Sequence, residues 1–285
     1  MELIRTQTFP ITRQRISAAL RLIPQQPDIL SSAARMREAR IHFICGTNVR
    51  QSIRGWLMAA GVISSEGRSY KLTEFGERLA KNDISMAHSS SWWCFHLNIC
   101  FSSRSEPYRS FVAEMGRQTA WVPANSIAQS VAKCIENKTG QAFADATIEN
   151  DLEGIIKIFT GASPLTDIGL IETRKEAGKQ LFRLGTPEVT DETLVYALSL
   201  ARERHFRNAA TLHFKELTSV DFHHFIGMSV SRLQRRLREM SRNRKWEEHF
   251  KFVEGKDLES IEPRSSLWPR LAVLPLLQET TDTWI

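Results

Sequence analysis

Asp83, His88 and His96 lie close together in the sequence. A carboxylate with two imidazoles can activate a water for hydrolysis, by moving its proton or by holding a metal that lowers its pKa. His88 and His96 are spaced to share one face of a helix. The competing reading makes His96 a buried histidine bonded to a carbonyl and Asp83 a helix cap, and the residues taken alone favour it. The metal that such a set would use stays unknown from the pattern. His223-His224 beside Asp221 is a second cluster, but adjacent rings on a helix diverge, so it reads as neither catalytic nor metal-binding. There is no G-x-x-x-x-G-K-[ST] loop to cradle nucleotide phosphates and no G-x-S-x-G nucleophile elbow. Cys45, Cys94, Cys100 and Cys134 contain no C-x-x-C pair, so neither a zinc site nor a disulfide framework is indicated.

Charge gives a second kind of chemistry. The formal net charge is +6, and 25% of residues are charged. Distribution says more than the total. Arg232, Arg235, Arg236, Arg238, Arg242, Arg244 and Lys245 face Glu239 as their one neighbouring acid in sequence. Ser229 can cap a helix here, with Val230, Leu233, Leu237 and Met240 as its buried stripe. The arginines then spread over the exposed arc, which suits a polyanion, and Arg232, Arg235 and Arg236 are the contacts expected to touch it. Arg5, Arg13, Arg15 and Arg21 add cations near the start.

These residues need elements to position them. Residues 29–40 read as a helix. In 47–60, Val49, Ile53, Trp56 and Ala60 form an apolar stripe, with Gln51 and Arg54 nearly opposite and Gly55 between them. Thr47 or Asn48 can cap the start, and Gly61 can end the helix in a left-handed conformation. Val62-Ile63, a turn at Glu66-Gly67 and the alternating Ser69-Tyr70-Lys71-Leu72 read as a hairpin. Helix, helix and ribbon in this order describe a winged helix-turn-helix, whose second helix enters the DNA major groove. The expected DNA contacts are Thr47, Asn48, Arg50, Gln51 and Arg54 on the helix, with Arg68 and Lys71 on the wing. Gly55 would let the backbone lie close to the duplex, Arg54 would pair with guanine or phosphate, and Gln51 with adenine.

Residues 88–160 read as helical, with Trp92, Trp93, Phe95 and Phe101 as core rather than base-stacking platforms. Around 161–187, Gly169, an apolar pair, a polar turn and Leu181-Phe182-Arg183-Leu184 repeat the theme of the first hairpin. A helix follows at 190–206, capped by Thr190 or Asp191, and a short one at 221–227. The expected fold is mainly α with small β-hairpin wings. It comprises an N-terminal arm and winged helix-turn-helix (1–85), a helical middle (86–160) and a C-terminal winged-helix-like basic domain (161–285). The segment 263–285 carries little pattern and reads as packing on the body. No signal peptide or span of transmembrane length is visible, which predicts a cytoplasmic protein with no membrane partner; binding to DNA would associate it with the nucleoid.

Several spaced motifs resemble the domain-of-unknown-function 4007 family of bacteria. Thr8-Phe9 and Arg13 look like its opening segment. Gly46, Asn48, Ser52, Ile53, Arg54 and Trp56 fit its G-x-N-x-x-x-S-I-R-x-W signature. Gly61-Val62-Ile63 is similar to its G-L-I, and Tyr70, Leu72, Thr73, Phe75, Gly76 and Leu79 to its Y-x-L-T-x-F-G-x-x-L. Asp83, Trp93 and His96 fall on its D-x9-W-x-x-H segment, and Ser163-Pro164-Leu165 with Gly169-Leu170-Ile171 on its second S-P-L-x-x-x-G-L-I. The resemblance implies a double-stranded-DNA-binding nicking endonuclease of phosphorothioate modification and antiphage defence. It would work beside a cysteine desulfurase, an ATPase and a sulfur transferase, and use Mg²⁺ or Mn²⁺. The alternative is a winged-helix adaptor or transcriptional regulator that cuts nothing. The chain departs from the family at Thr47, where relatives carry lysine, and at Gly55, where they carry an aromatic. It also has Ala87 and His88 in place of an acidic pair, so a metal held by that pair in relatives would lack it here.

Overall fold

The computed structural model of the chain describes residues 8–31, 46–139, 145–160, 163–207, 209–255 and 258–264, with Ile4, Thr6, Arg35 and Phe43. The chain divides into two units, Met1–Gly185 and Thr186–Ile285. It is mainly α with small antiparallel sheets. No helix among the described residues is long and apolar enough to cross a membrane.

In the first unit, Thr12 caps α1 (Arg13–Leu22) by accepting from the Arg15 amide. Of the helix expected at 29–40, Ile29–Ser31 form a turn and Arg35 is helical; the other positions lie outside the described residues. Helix α2 (Thr47–Ala59) follows the expected stripe: Val49, Ile53, Trp56 and Ala60 are all buried. Its cap differs from expectation. Gly46 occupies the N-cap, and no side chain makes a capping hydrogen bond. At the far end Gly61 has φ +65°, the Gly61 amide bonds the Met58 carbonyl, and the Val62 amide bonds the Leu57 carbonyl. This paired closure needs a left-handed residue, which a Cβ would disfavour.

The hairpin forms as read, with β1 (Ile63–Glu66) against β2 (Ser69–Leu72) and Glu66 opposite Ser69. Next come α3 (Glu74–Asn82), α4 (Ser89–Cys100) and α5 (Glu106–Arg117). Trp92, Trp93, Phe95 and Phe101 are buried core, as expected. Tyr108 meets Trp56 edge-on at 6.1 Å, and Phe111 stacks on Phe159 at 5.7 Å, so α2, α4, α5 and α7 share one aromatic core.

A short strand β3 (Val122–Pro123), missed in the sequence, precedes α6 (Ala124–Thr139) and α7 (Asp145–Thr160). After α8 (Pro164–Asp167) comes a second hairpin, β4 (Ile171–Glu176) and β5 (Lys179–Leu184), turning at Ala177 and Gly178, both at positive φ. It repeats the first hairpin at several points. Gly169 has φ +68°, Ile171 pairs with Leu184 as Ile63 pairs with Leu72, and the Gly185 amide bonds the Leu170 carbonyl as Thr73 bonds Val62.

The second unit holds α9 (Asp191–Arg204), β6 (Leu212–His213), α10 (Phe214–Ser219), α11 (Phe222–Phe225) and α12 (Val230–Ser241). It ends with β7 (Phe250–Glu254) and β8 (Glu259–Pro263). Thr190 supplies the cap of α9 by accepting from the Thr193 amide. The closing hairpin also escaped the sequence reading, although Phe250 and Phe252 alternate inward across Lys251. Its sheet order is β6–β8–β7, and that of the first unit is β3–β5–β4. In both, a two-residue strand lying before the helices pairs with the second strand of the hairpin. The tail expected to pack on the body lies outside the described residues from position 265 onward.

Candidate nucleic-acid interface

Ser229 caps α12 by accepting from the Arg232 amide, as the sequence predicted. Leu233, Leu237 and Met240 are buried, which fixes the rotation of the helix. Val230 is not part of the buried stripe; it is the first residue of the helix and is 43% exposed. The arginines do not spread freely over the exposed arc. Arg236 binds the Asp191 carboxylate at 2.7 Å, and the same carboxylate accepts from Trp246 Nε1 at 3.1 Å. Arg232 donates to the Pro187 carbonyl at 3.3 Å, and Lys245 binds the buried Glu192 at 2.7 Å. Asp191 and Glu192 open α9, where negative charge also suits the helix dipole.

The other flank of α12 is tied to the wing. Arg238 Nε binds Glu254 at 2.8 Å, and Gln234 hydrogen-bonds Glu259. The shared hydrogen bond holds the Glu254 carboxyl below its ordinary range and the Arg238 guanidinium above its own. What remains open is a narrow stripe. At about 100° per residue, Ser231, Arg235, Glu239 and Arg242 line the side facing away from the core, and all four are exposed. Arg244 is exposed just beyond the helix. Among the described residues, the Arg235, Arg242 and Arg244 side chains make no hydrogen bond or close ion pair, although Arg242 lies near enough to Glu254 to help lower its carboxyl, so most of this charge faces outward. In the sequence Ser231 does not stand out, and Arg242 belongs to the basic run without being an expected contact; a helical wheel places both beside Arg235, and the pairings above separate this arc from the rest of the helix.

The first-unit candidates are placed differently. Arg50 is 6% exposed and donates to the Leu30 carbonyl at 3.0 Å, so it faces inward rather than outward. Thr47 and Asn48 are exposed, while Gln51 and Arg54 are half-buried, with Arg54 Nη1 3.4 Å from the Tyr70 hydroxyl. Gly55 does not open the helix to a duplex. A Cβ built there would overlap the Ile4 carbonyl, because the N-terminal arm crosses α2 at that point. Ser52 and Trp56 Nε1 both donate to the Phe9 carbonyl, at 2.8 and 3.1 Å. The arm then reaches α7, where the Thr6 amide bonds Asp151 at 2.7 Å and Lys157 bonds the Thr8 carbonyl at 3.2 Å. On the wing, Arg68 is exposed and Lys71 pairs with Glu66.

Asp83 and His88 come together through the backbone, not through the ring. Asp83 Oδ1 accepts from the Ala87 amide at 2.8 Å, and Oδ2 from the His88 amide at 3.0 Å. The carboxylate thus shapes the loop into α4, and the His88 side chain is exposed at the N-cap of that helix. His96 is 0% exposed; its Nδ1 meets the Tyr108 hydroxyl at 2.7 Å, and Cys100 Sγ lies 3.6 Å from Nε2. One partner of this buried histidine is therefore a phenol. Burial pushes the Cys100 thiol and the Tyr108 hydroxyl well up. The His223 and His224 rings, expected to diverge, sit 3.9 Å apart, with His224 Nδ1 3.4 Å from Asp221. Helix α11 is a single turn, and Asp221 before it is left-handed at φ +63°, which lets the rings converge. Among the described residues, no group of three or more His, Cys, Asp or Glu is arranged to hold a metal ion.

Two solved structures share the fold. One is described as "Magnesium ion-bound SspB crystal structure", at TM-score 0.77 and 16% identity, covering 99% of this chain and 88% of that one. The other, "SspB crystal structure", matches at TM-score 0.77 and 15% identity with the same coverage of 99% and 88%. No curated protein matches the sequence. Residues 4–267 match the family described as "Protein of unknown function (DUF4007)". The chain belongs to the DUF4007 family.

Proposed function

We propose that this chain binds double-stranded DNA through the open face of α12 and acts in bacterial DNA phosphorothioation, beside the desulfurase, ATPase and sulfur-transferase proteins of such a system. The observation that carries the DNA reading is the exposed stripe of Arg235 and Arg242, continued by Arg244, left unpaired when every neighbouring cation on α12 finds a partner. The connectivity α9–β6–α10–α11–α12–β7–β8, with sheet order β6–β8–β7, supports a winged-helix reading, in which the last helix before the wing, here α12, lies in the major groove. The place in phosphorothioation rests on membership of the DUF4007 family and on the SspB-like fold.

The family resemblance favours a nickase. The non-cutting adaptor is favoured by one specific observation: both oxygens of Asp83 already serve backbone amides, and Ala87 and His88 are not the acidic pair that the family resemblance implies. The described residues do not form a site that fits Mg²⁺ or Mn²⁺. Two measurements decide. The salt dependence of duplex binding is compared between the native chain and an Arg242→Glu, Arg244→Glu double variant. Loss of these contacts lowers the log–log slope by about 0.9 for each phosphate released. Equal slopes and affinities would overturn binding through α12. Incubation of supercoiled plasmid with Mg²⁺ or Mn²⁺ then separates the nickase, which yields open circles, from the adaptor, which yields none.

A further inference from the structure

We infer that α12 divides its work: Arg235 reads a guanine edge in the major groove, and Arg242 and Arg244 hold phosphates. This rests on the DNA-binding reading above and adds which residue sets sequence preference. The N-terminal residues of a winged-helix recognition helix are the ones that reach base edges. Here that turn is Ser229-Val230-Ser231, small and exposed, with Ser229 and Ser231 hydroxyls 3.2 Å apart. A slim helix end can enter the groove deeply. Val230 is left 43% exposed there, an apolar side chain at the helix tip. One turn further, Arg235 is the single cation of the first two turns that is not tied back, since Arg232 holds Pro187 and Arg236 holds Asp191. An unpaired guanidinium at this depth matches the two acceptors of guanine, N7 and O6, with its planar fork. Arg242 and Arg244 sit at the other end of the helix and just past it, where the helix has climbed out toward the backbone. On the described part of the wing, Glu254 pairs with Glu259 at the end of the strands and Leu258 beside them is 62% exposed, so base reading is assigned to the helix.

The test starts from duplexes selected by the full chain from a random-sequence pool. Each guanine of the recovered site is then replaced by 7-deazaguanine, which keeps pairing but removes N7. The expected result is one guanine whose replacement weakens native binding roughly 5- to 150-fold. Arg235→Ala should bind selected and random duplexes alike and ignore that replacement. Arg235→Lys should keep affinity for random duplexes yet lose the preference, because an ammonium cannot make the two-point contact. If Arg235→Ala instead weakens all duplexes equally with the preference intact, Arg235 is a phosphate contact and the inference fails. Selection that yields no preferred site also overturns it, with DNA binding itself standing. If Arg242→Glu, Arg244→Glu leaves affinity for every duplex unchanged, the DNA reading falls first. Circular dichroism of each variant separates these outcomes from misfolding.

Discussion

Arg236 reaches Asp191 at 2.7 Å across 45 residues of chain, and by doing so it leaves the open face of α12 to Arg235. The same carboxylate takes the Trp246 indole N–H, so one acid at the start of α9 orients both the helix and the buried ring behind it. An arginine-rich helix is thus mostly an internal fastening, and its interaction surface is what the fastening leaves over.

Asp191→Ala should destabilise the second unit by about 1–3 kcal/mol, because a buried indole N–H and a guanidinium lose their acceptor together. Differential scanning calorimetry should show the unit's melting temperature lowered by several degrees. DNA affinity at a temperature below the transition should change little. A variant that melts normally would mean that the Arg236–Asp191–Trp246 group does not hold α12.

Gly55→Ala tests the arm. Alanine is the better helix former by about 1 kcal/mol, so an uncovered helix would gain stability. Here the added Cβ overlaps the Ile4 carbonyl, and the arm must shift. The expected outcome is a lower melting temperature of the first unit and faster proteolysis near residues 4–11, with DNA binding preserved. Stabilisation without new cleavage would show that the arm does not lie on α2.

Asp83→Ala is expected to behave as a structural lesion. The Ala87 and His88 amides lose their acceptor, at a cost of about 1–3 kcal/mol. If the protein nicks plasmid, activity per folded molecule at low temperature should survive. Loss of nicking with an unchanged melting temperature would instead make Asp83 catalytic.

Alkaline pH should weaken the first unit. Burial raises the Cys100 thiol well above its ordinary 9.0, Arg109 offsetting only part, and burial with the neighbouring Cys100 raises Tyr108 above 10.0. The unfolded chain releases these protons at their ordinary values while the folded one keeps them. The unfolded state then binds fewer protons, so stability is full below about pH 9 and falls as pH rises toward the folded values. Urea midpoints at about pH 8 and pH 10 measure this. Cys100→Ala should flatten the decline, and an equal decline in that variant would place the thiol outside the buried His96–Tyr108 network.

Local features of the fold were legible in the sequence. The stripe of α2 and its closure at Gly61, the two hairpins after Gly61 and Gly169, the Ser229 cap and the aromatic core of α4 all follow from side-chain period and turn chemistry within a few residues. The family was legible for the same reason, since its motifs are short and local. Tertiary structure alone decided the sign and direction of the surfaces. Thr6 meets Asp151 across 145 positions, Ile4 of the same arm closes the Gly55 side of α2, and Asp191 and Glu254 remove Arg236 and Arg238 from the cationic arc of α12. The two-residue strands β3 and β6 exist only because a distant hairpin offers them partners. Periodicity says which side of an element is apolar; it cannot say which remote carboxylate, carbonyl or arm will arrive at the polar side, because that depends on how the elements pack.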